Sequence, residues 1–213
     1  MFKLTKSNWA KSALFLSVIS VLVIGFPNRK LTESQAQITT DVQVVASPVI
    51  PANSIQVTSS PKIKGLSLKI PAIGVYIPLG KTGLDSAGHL MVPANPKNAA
   101  WYQSGPKPGD SGTALITGHL DSAAGPGVFI NLRKLSAGDE IQVTRDDGAI
   151  ATFQVDKLAS YAQDSTFPWN LVYSTSGPAA LRIITCDGVY NPGTGHYSRN
   201  LVVYAFLVSL QKN

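Results

Sequence analysis

From residue 66 onward, short apolar segments alternate with Gly, Pro, Asp and Asn: LSLKI, VYIPL, TALIT, EIQVT, ATFQVDKL, ALRIIT and LVVYAFLV. Ile141 and Val143, like Phe153 and Val155, stand two residues apart, the period of a strand with one wet face. ALRIIT and LVVYAFLV are nearly continuous apolar runs, which predict strands covered on both faces. Asp146, Asp147 and Gly148 separate two strand candidates and predict a hairpin. Helical period is scarce, and short turns at 96–102 and 128–135 are the best candidates. With no internal repeat and turn signals roughly every 8 to 12 residues, the pattern predicts an all-β domain, a closed barrel or a sandwich.

The N-terminal pattern differs. Lys3, Lys6 and Lys11 precede the run ALFLSVISVLVIGF, which Pro27, Asn28, Arg29 and Lys30 close. With Trp9 and Ala10 the run approaches ~17 residues, the short end for a spanning helix. Its flank lacks an Ala-x-Ala arrangement, so it reads as an uncleaved signal-anchor, with AQA near Ala36 the weaker cleavage candidate. The three leading lysines place the N-terminus in the cytoplasm, against the smaller pull of Arg29 and Lys30. Residues 31–60 are mostly Thr, Ser, Gln, Ala, Val and Pro and read as a flexible linker. The expected organisation is a transmembrane segment over 1–30, a linker over 31–60 and a folded domain over 61–213. That makes a single-pass protein of the cell membrane with its domain outside.

Composition narrows the function. A chain of 213 residues with 44% hydrophobic and 14% charged residues folds around one core. Its net charge of +6 divides evenly: five bases and two acids over 1–60, thirteen and ten over 61–213. The domain is only mildly basic, which removes nucleic acid as a partner. One cysteine excludes a disulfide framework and every thiolate-cluster zinc site. Walker, Rossmann, HExxH and EF-hand patterns are missing, so no metal or cofactor is expected.

The remaining chemistry gathers at strand ends. Cys186, in LRIITCDG, closes a buried strand just before Asp187 and Gly188 turn the chain. Most free cysteines are small buried hydrophobes, yet an unpaired thiol in an exported domain invites oxidation unless it has a use. A nucleophilic thiolate needs a base or cation nearby. His119, in LITGHLD, also follows an apolar strand; His89 reads as a surface imidazole, and His196, in GTGHYS, is a reserve candidate. Arg199, in SRNLVVYAF, opens the last strand, either as an oxyanion partner or as a strand-terminal surface charge. The GDSG string at 109–112 resembles a serine-protease nucleophile, but only His89 precedes Ser111 in the folded region and the required His-then-Asp order is missing.

Taken together, LKIPAIGVYIPLG, AAWYQSGPKPGDSGTALITGHLD, GVFINLRKLSAGDEIQV, LRIITCDG and RNLVVYAF resemble the sortases, cysteine transpeptidases of bacterial envelopes, over 66–208. GHLDS and ITCDGVYN are most similar to the class E and class F types. The resemblance implies a closed eight-stranded barrel with short helices or 3-10 turns behind the membrane segment and linker. It implies Cys186 as nucleophile, His119 as general acid/base and Arg199 as oxyanion or substrate-positioning cation. It also implies Thr185 at the substrate, and Phe167 and Trp169 on a loop that grips the sorting peptide; for those aromatics, packing against the barrel is the alternative. Asp121 either orients His119 or caps a loop. The implied partners are exported proteins bearing an LPxTG-like sorting signal and an amine of peptidoglycan or another protein. The chain ends in LVVYAFLVSLQKN without such a signal, so it reads as the processing enzyme. The rivals are an inactive sortase-like envelope module and another exported cysteine peptidase; the Ser-His-Gly-Cys-Arg arrangement of L,D-transpeptidases is missing.

Overall fold

The computed structural model describes residues 2–3, 63 and 65–212. The expected membrane segment and linker, 1–30 and 31–60, fall outside the described residues but for Phe2 and Lys3. Eight strands close into a barrel. They are β1 (Ser67–Ile70), β2 (Val75–Thr82), β3 (Ala99–Tyr102), β4 (Thr113–Gly118), β5 (Glu140–Thr144), β6 (Ile150–Ala162), β7 (Ala180–Asn191) and β8 (His196–Gln211). Around the barrel the order is β6-β8-β7-β4-β3-β2-β1-β5, and β5 pairs back to β6. Neighbours are antiparallel except β2 with β3 and β4 with β7.

Each of the seven apolar segments forms a strand, and the Asp146–Asp147–Gly148 turn joins β5 to β6. The eighth strand, β3, is AAWY, where the sequence suggested a helical turn over 96–102. Four residues are too few to show a period, and its conformation is set by partners: parallel pairing with β2 and antiparallel pairing with β4. The turn expected over 128–135 is present as a 3-10 turn at Leu132–Lys134.

Alternation along β7 and β8 divides two apolar layers. Leu181, Ile183, Leu201, Val203 and Ala205 point into the barrel, with Ala114, Ile116, Phe153, Phe129 and Leu132. Leu115, Ile184, Val202 and Tyr204 point outward, where Phe167 and Val172 of the β6–β7 connection cover them. That connection carries α1 (Trp169–Val172). All six residues of β4 are buried, as its apolar run requires. On β8 the covering ends early: Phe206 and Val208 are exposed although the sequence run continues through them.

Glycines fix the chain on both sides of His119. A Cβ on Gly118 would fall 2.6 Å from the Phe129 ring and 2.7 Å from Val128 Cγ1, and one on Gly127 would fall 2.4 Å from the His119 carbonyl oxygen. The Phe129 amide donates to that same carbonyl at 2.9 Å. The 119–129 loop is thus folded back tightly under the histidine. Gly118→Ala is expected to lower unfolding stability by about 1–3 kcal/mol through overpacking. Gly83→Ala, whose new methyl would meet only Met91 Cε at 3.9 Å, should stay within about 0.5 kcal/mol of the parent. Urea denaturation of both variants checks this.

Candidate active site

The parallel ladder between β4 and β7 pairs Leu115 with Arg182 and Thr117 with Ile184. Continuing that register by two residues sets His119 beside Cys186. Both line a cavity of about 810 Å³ on the outer face of the barrel. Its wall also holds Asp85, Leu90, Met91 and Val92 from the β2–β3 connection, Thr117 and Asp121 near the histidine, and Tyr190, His196 and Tyr197 from the β7–β8 ribbon.

Cys186 is partly buried. Burial pushes its thiol up from the ordinary value, and the Asp121 and Asp187 carboxylates push it further. His119 Nε2 lies 2.8 Å from the carbonyl oxygen of Pro93 in the β2–β3 connection, so that nitrogen engages backbone rather than the sulfur. Asp121 does not orient the imidazole; it accepts a 2.6 Å hydrogen bond from Tyr197 Oη across the cavity mouth. That bond leads the influences that push the Tyr197 phenol up to about 12, so it stays protonated and holds the 119–129 loop to β8.

The chain does not turn at Asp187 and Gly188. β7 continues to Asn191, and a register shift between Asp187 and Tyr190, with Gly188 at φ +79°, makes a bulge. β8 therefore begins at His196, which pairs with Asn191 and comes back over the cavity rather than standing in a free loop.

Arg199 lies outside the cavity wall. It pairs with Asp187, one residue past Cys186, and alternation carries its side chain away from the thiol. Its Nε donates to Ser160 Oγ at 2.8 Å and its Nη2 to the Ser160 carbonyl at 2.5 Å. Ser160 Oγ in turn donates to Asp187, which also takes a hydrogen bond from Arg133. Burial opposes the Asp187 charge, yet the bonds from Arg133 and Ser160 hold its carboxyl below the usual range. The residue opposite Cys186 is Asn200.

The three expected substrate residues are placed as follows. Thr185 lines the cavity, but its hydroxyl donates to the Gly118 carbonyl at 2.9 Å and ties β7 to the histidine strand. Phe167 is buried against the barrel's outer layer, with the Trp169 ring tilted against it at 4.5 Å and Tyr161 edge-on at 5.6 Å. Neither aromatic of the α1 region reaches the cavity. Sequence reasoning missed Met91, Tyr190, Tyr197 and Asn200; the YNPGTGHY ribbon was the one available signal, since tyrosines at 190 and 197 bracket a turn that brings them together.

A family model described as the sortase domain matches residues 68–208. No curated relative matches the chain. Among solved structures, sortase A of Listeria monocytogenes is 20% identical with a TM-score of 0.53, over 70% of this chain and 89% of its own. A lid mutant of sortase A from Corynebacterium diphtheriae is 22% identical with a TM-score of 0.54, over 72% and 74%. Sortase C1 from Streptococcus agalactiae is 21% identical with a TM-score of 0.51, over 67% and 66%. These likenesses extend to the fold.

Asp121 supplies a testable consequence. Removing its charge relieves repulsion of the thiolate, so Asp121→Asn should lower the Cys186 thiol pKa and speed its alkylation at neutral pH. A pH series of iodoacetamide alkylation reads this directly; a midpoint that rises instead would contradict the assigned geometry.

Proposed function

The chain belongs to the sortase family, and on that premise we propose that it is a cysteine transpeptidase acting through Cys186 and His119. The observation that carries this reading is the pair itself: the one thiol of the chain and a histidine, delivered to one cavity by adjacent parallel strands. In the proposed reaction the Cys186 thiolate attacks a backbone carbonyl of an LPxTG-like sorting motif. A C–S bond forms, the carbonyl π pair moves to oxygen, and collapse of the tetrahedral state breaks the C–N bond. His119 protonates the departing amine, then takes a proton from an incoming amine of peptidoglycan or another protein, which attacks the thioacyl carbon and frees the sulfur.

Arg199 is the cation that the family pattern implies for this reaction. With its guanidinium held by Ser160, it acts in this reading from the edge of the site, reaching substrate only when that hold is exchanged. The Thr185 hydroxyl keeps the two catalytic strands in register, and Phe167 and Trp169 support the β6–β7 side of the peptide groove. The N-terminal segment over 1–30 is read as the membrane anchor that keeps the enzyme among exported substrates; among the described residues no helix is long and apolar enough to cross a membrane.

Incubation with sorting-signal peptides and an amine should give a thioacyl adduct on Cys186 by mass spectrometry. Cys186→Ala should give none, and His119→Ala should slow its formation by about 10²- to 10⁴-fold. Failure of a broad peptide library to acylate Cys186 would sink the transpeptidase reading. One observation favours the rival, an inactive module: the resting thiol is pushed up and His119 faces Pro93. Rapid thiol labelling of Cys186 that slows in His119→Ala separates the two, since an inert buried cysteine would show neither.

A further inference from the structure

Asn200 is fully buried, and neither Nδ2 nor Oδ1 of its carboxamide has a hydrogen-bond partner among the described residues. Leaving a buried polar group unpaired is costly, and here both ends of one amide are left so. Its place explains why. Asn200 stands opposite Cys186 on β8, and the adjacent outward positions, Val202 opposite Ile184 and Tyr204 opposite Arg182, establish that Asn200 and Cys186 share the outer face. Cross-strand neighbours on one face have Cβ atoms about 4.5–5.5 Å apart, so the amide lies beside the sulfur, in the layer just behind the cavity wall that Cys186 lines. A second unpaired group stands nearby: Thr117 Oγ1, in a residue that lines the cavity and is almost wholly buried, has no partner among the described residues.

Arg199, by contrast, is directed to Ser160 on the other face. We propose that Asn200 supplies, through Nδ2–H, the hydrogen bond to the negative charge that builds at Cys186, first on the thiolate sulfur and then on the oxygen of the tetrahedral intermediate. The inference deepens the transpeptidase reading but its first half, the thiolate, stands without any peptide. A neutral donor fits this position, because an amide beside Cys186 adds no charge to a buried layer. The titratable groups around Cys186 are Asp85, His119, Asp121, Tyr190, His196 and Tyr197 in the cavity wall and Asp187 beside it on β7. None of these is altered by changing Asn200.

The test is Asn200→Leu, which fills similar volume without polar atoms. If Asn200 were only a structural misfit, removing two unpaired groups would leave stability unchanged or improved and leave Cys186 unaffected. The proposal expects the folded variant to show an iodoacetamide alkylation midpoint higher by about one pH unit. With a peptide that acylates the parent enzyme, it expects a thioacylation rate lower by about 100-fold. Should Asn200→Leu fail to fold, Asn200→Ala removes the donor without adding bulk, and the same alkylation series is read on it. An unchanged alkylation midpoint in the folded variant overturns the proposal. If the parent enzyme forms no adduct with any peptide, the transpeptidase reading fails, while the alkylation comparison still decides the role of Asn200.

Discussion

Everything at the site depends on the parallel pairing of β4 with β7. Most neighbours in this barrel are antiparallel, and an antiparallel partner would bring the end of one strand beside the start of the other. Parallel pairing brings two C-terminal ends together, so the residues that follow TALITG and LRIIT emerge at the same rim. A histidine and a cysteine at those ends become neighbours without any loop having to carry them there. Burial of all of β4 and of Ile183, Ile184 and Thr185 on β7 makes the placement rigid, and the Thr185 bond to the Gly118 carbonyl locks the register at the last rung.

The same alternation that gives Cys186 the outer face assigns its flanking residues elsewhere. Asp187 turns to a patch shared by Arg133, Ser160 and Arg199, where two cations meet one partly buried carboxylate. That patch holds the arginine off the cavity. The bulge after Asp187 then reverses the trend: by inserting an extra residue it brings Tyr190, Tyr197 and His196 back to the cavity that Cys186 lines. One glycine at a left-handed position, Gly188, permits this, and the stem of Arg199 lies across it where a Cβ would meet Cγ at 3.0 Å.

Much of this was legible in the sequence because it is periodic. Seven strands declared themselves by apolar runs of five to eight residues, and Cys186 and His119 by directly following the apolar runs LRIIT and TALITG. β3 did not, since Ala-Ala-Trp-Tyr has no polar member to mark a face and owes its conformation to its neighbours. The turn read at Asp187–Gly188 was wrong for a related reason: a glycine with positive φ serves a bulge as well as a turn, and only pairing with β8 distinguishes them. Arg199 and Asn200 are adjacent, and adjacent strand residues face opposite ways. Composition favours the arginine as the functional one of the two; register decides which faces Cys186, and register is not written in a single strand.

The cavity lining disfavours a thiolate at Cys186 in this structure. Two carboxylates, Asp121 and Asp85, lie in its wall, no Lys or Arg does, and burial adds to the penalty on a thiolate. Asp85 is itself engaged with His89, its Oδ2 3.0 Å from Nδ1, so it neutralises no part of the site's own charge demand. A buried amide without partners and a histidine turned to a backbone carbonyl are the complementary half of that state. Each is a group whose hydrogen bonds are incomplete or misdirected until something arrives to complete them. In the proposed reaction, a peptide carbonyl entering beside Cys186 would offer an acceptor to the amide, and a leaving amine would take a proton from His119. Substrate binding in that proposed reaction would thereby turn unsatisfied polar groups into satisfied ones at the moment when charge appears on sulfur and oxygen. Such interactions, realised only as the reaction proceeds, are those that accelerate a chemical step rather than merely tighten binding.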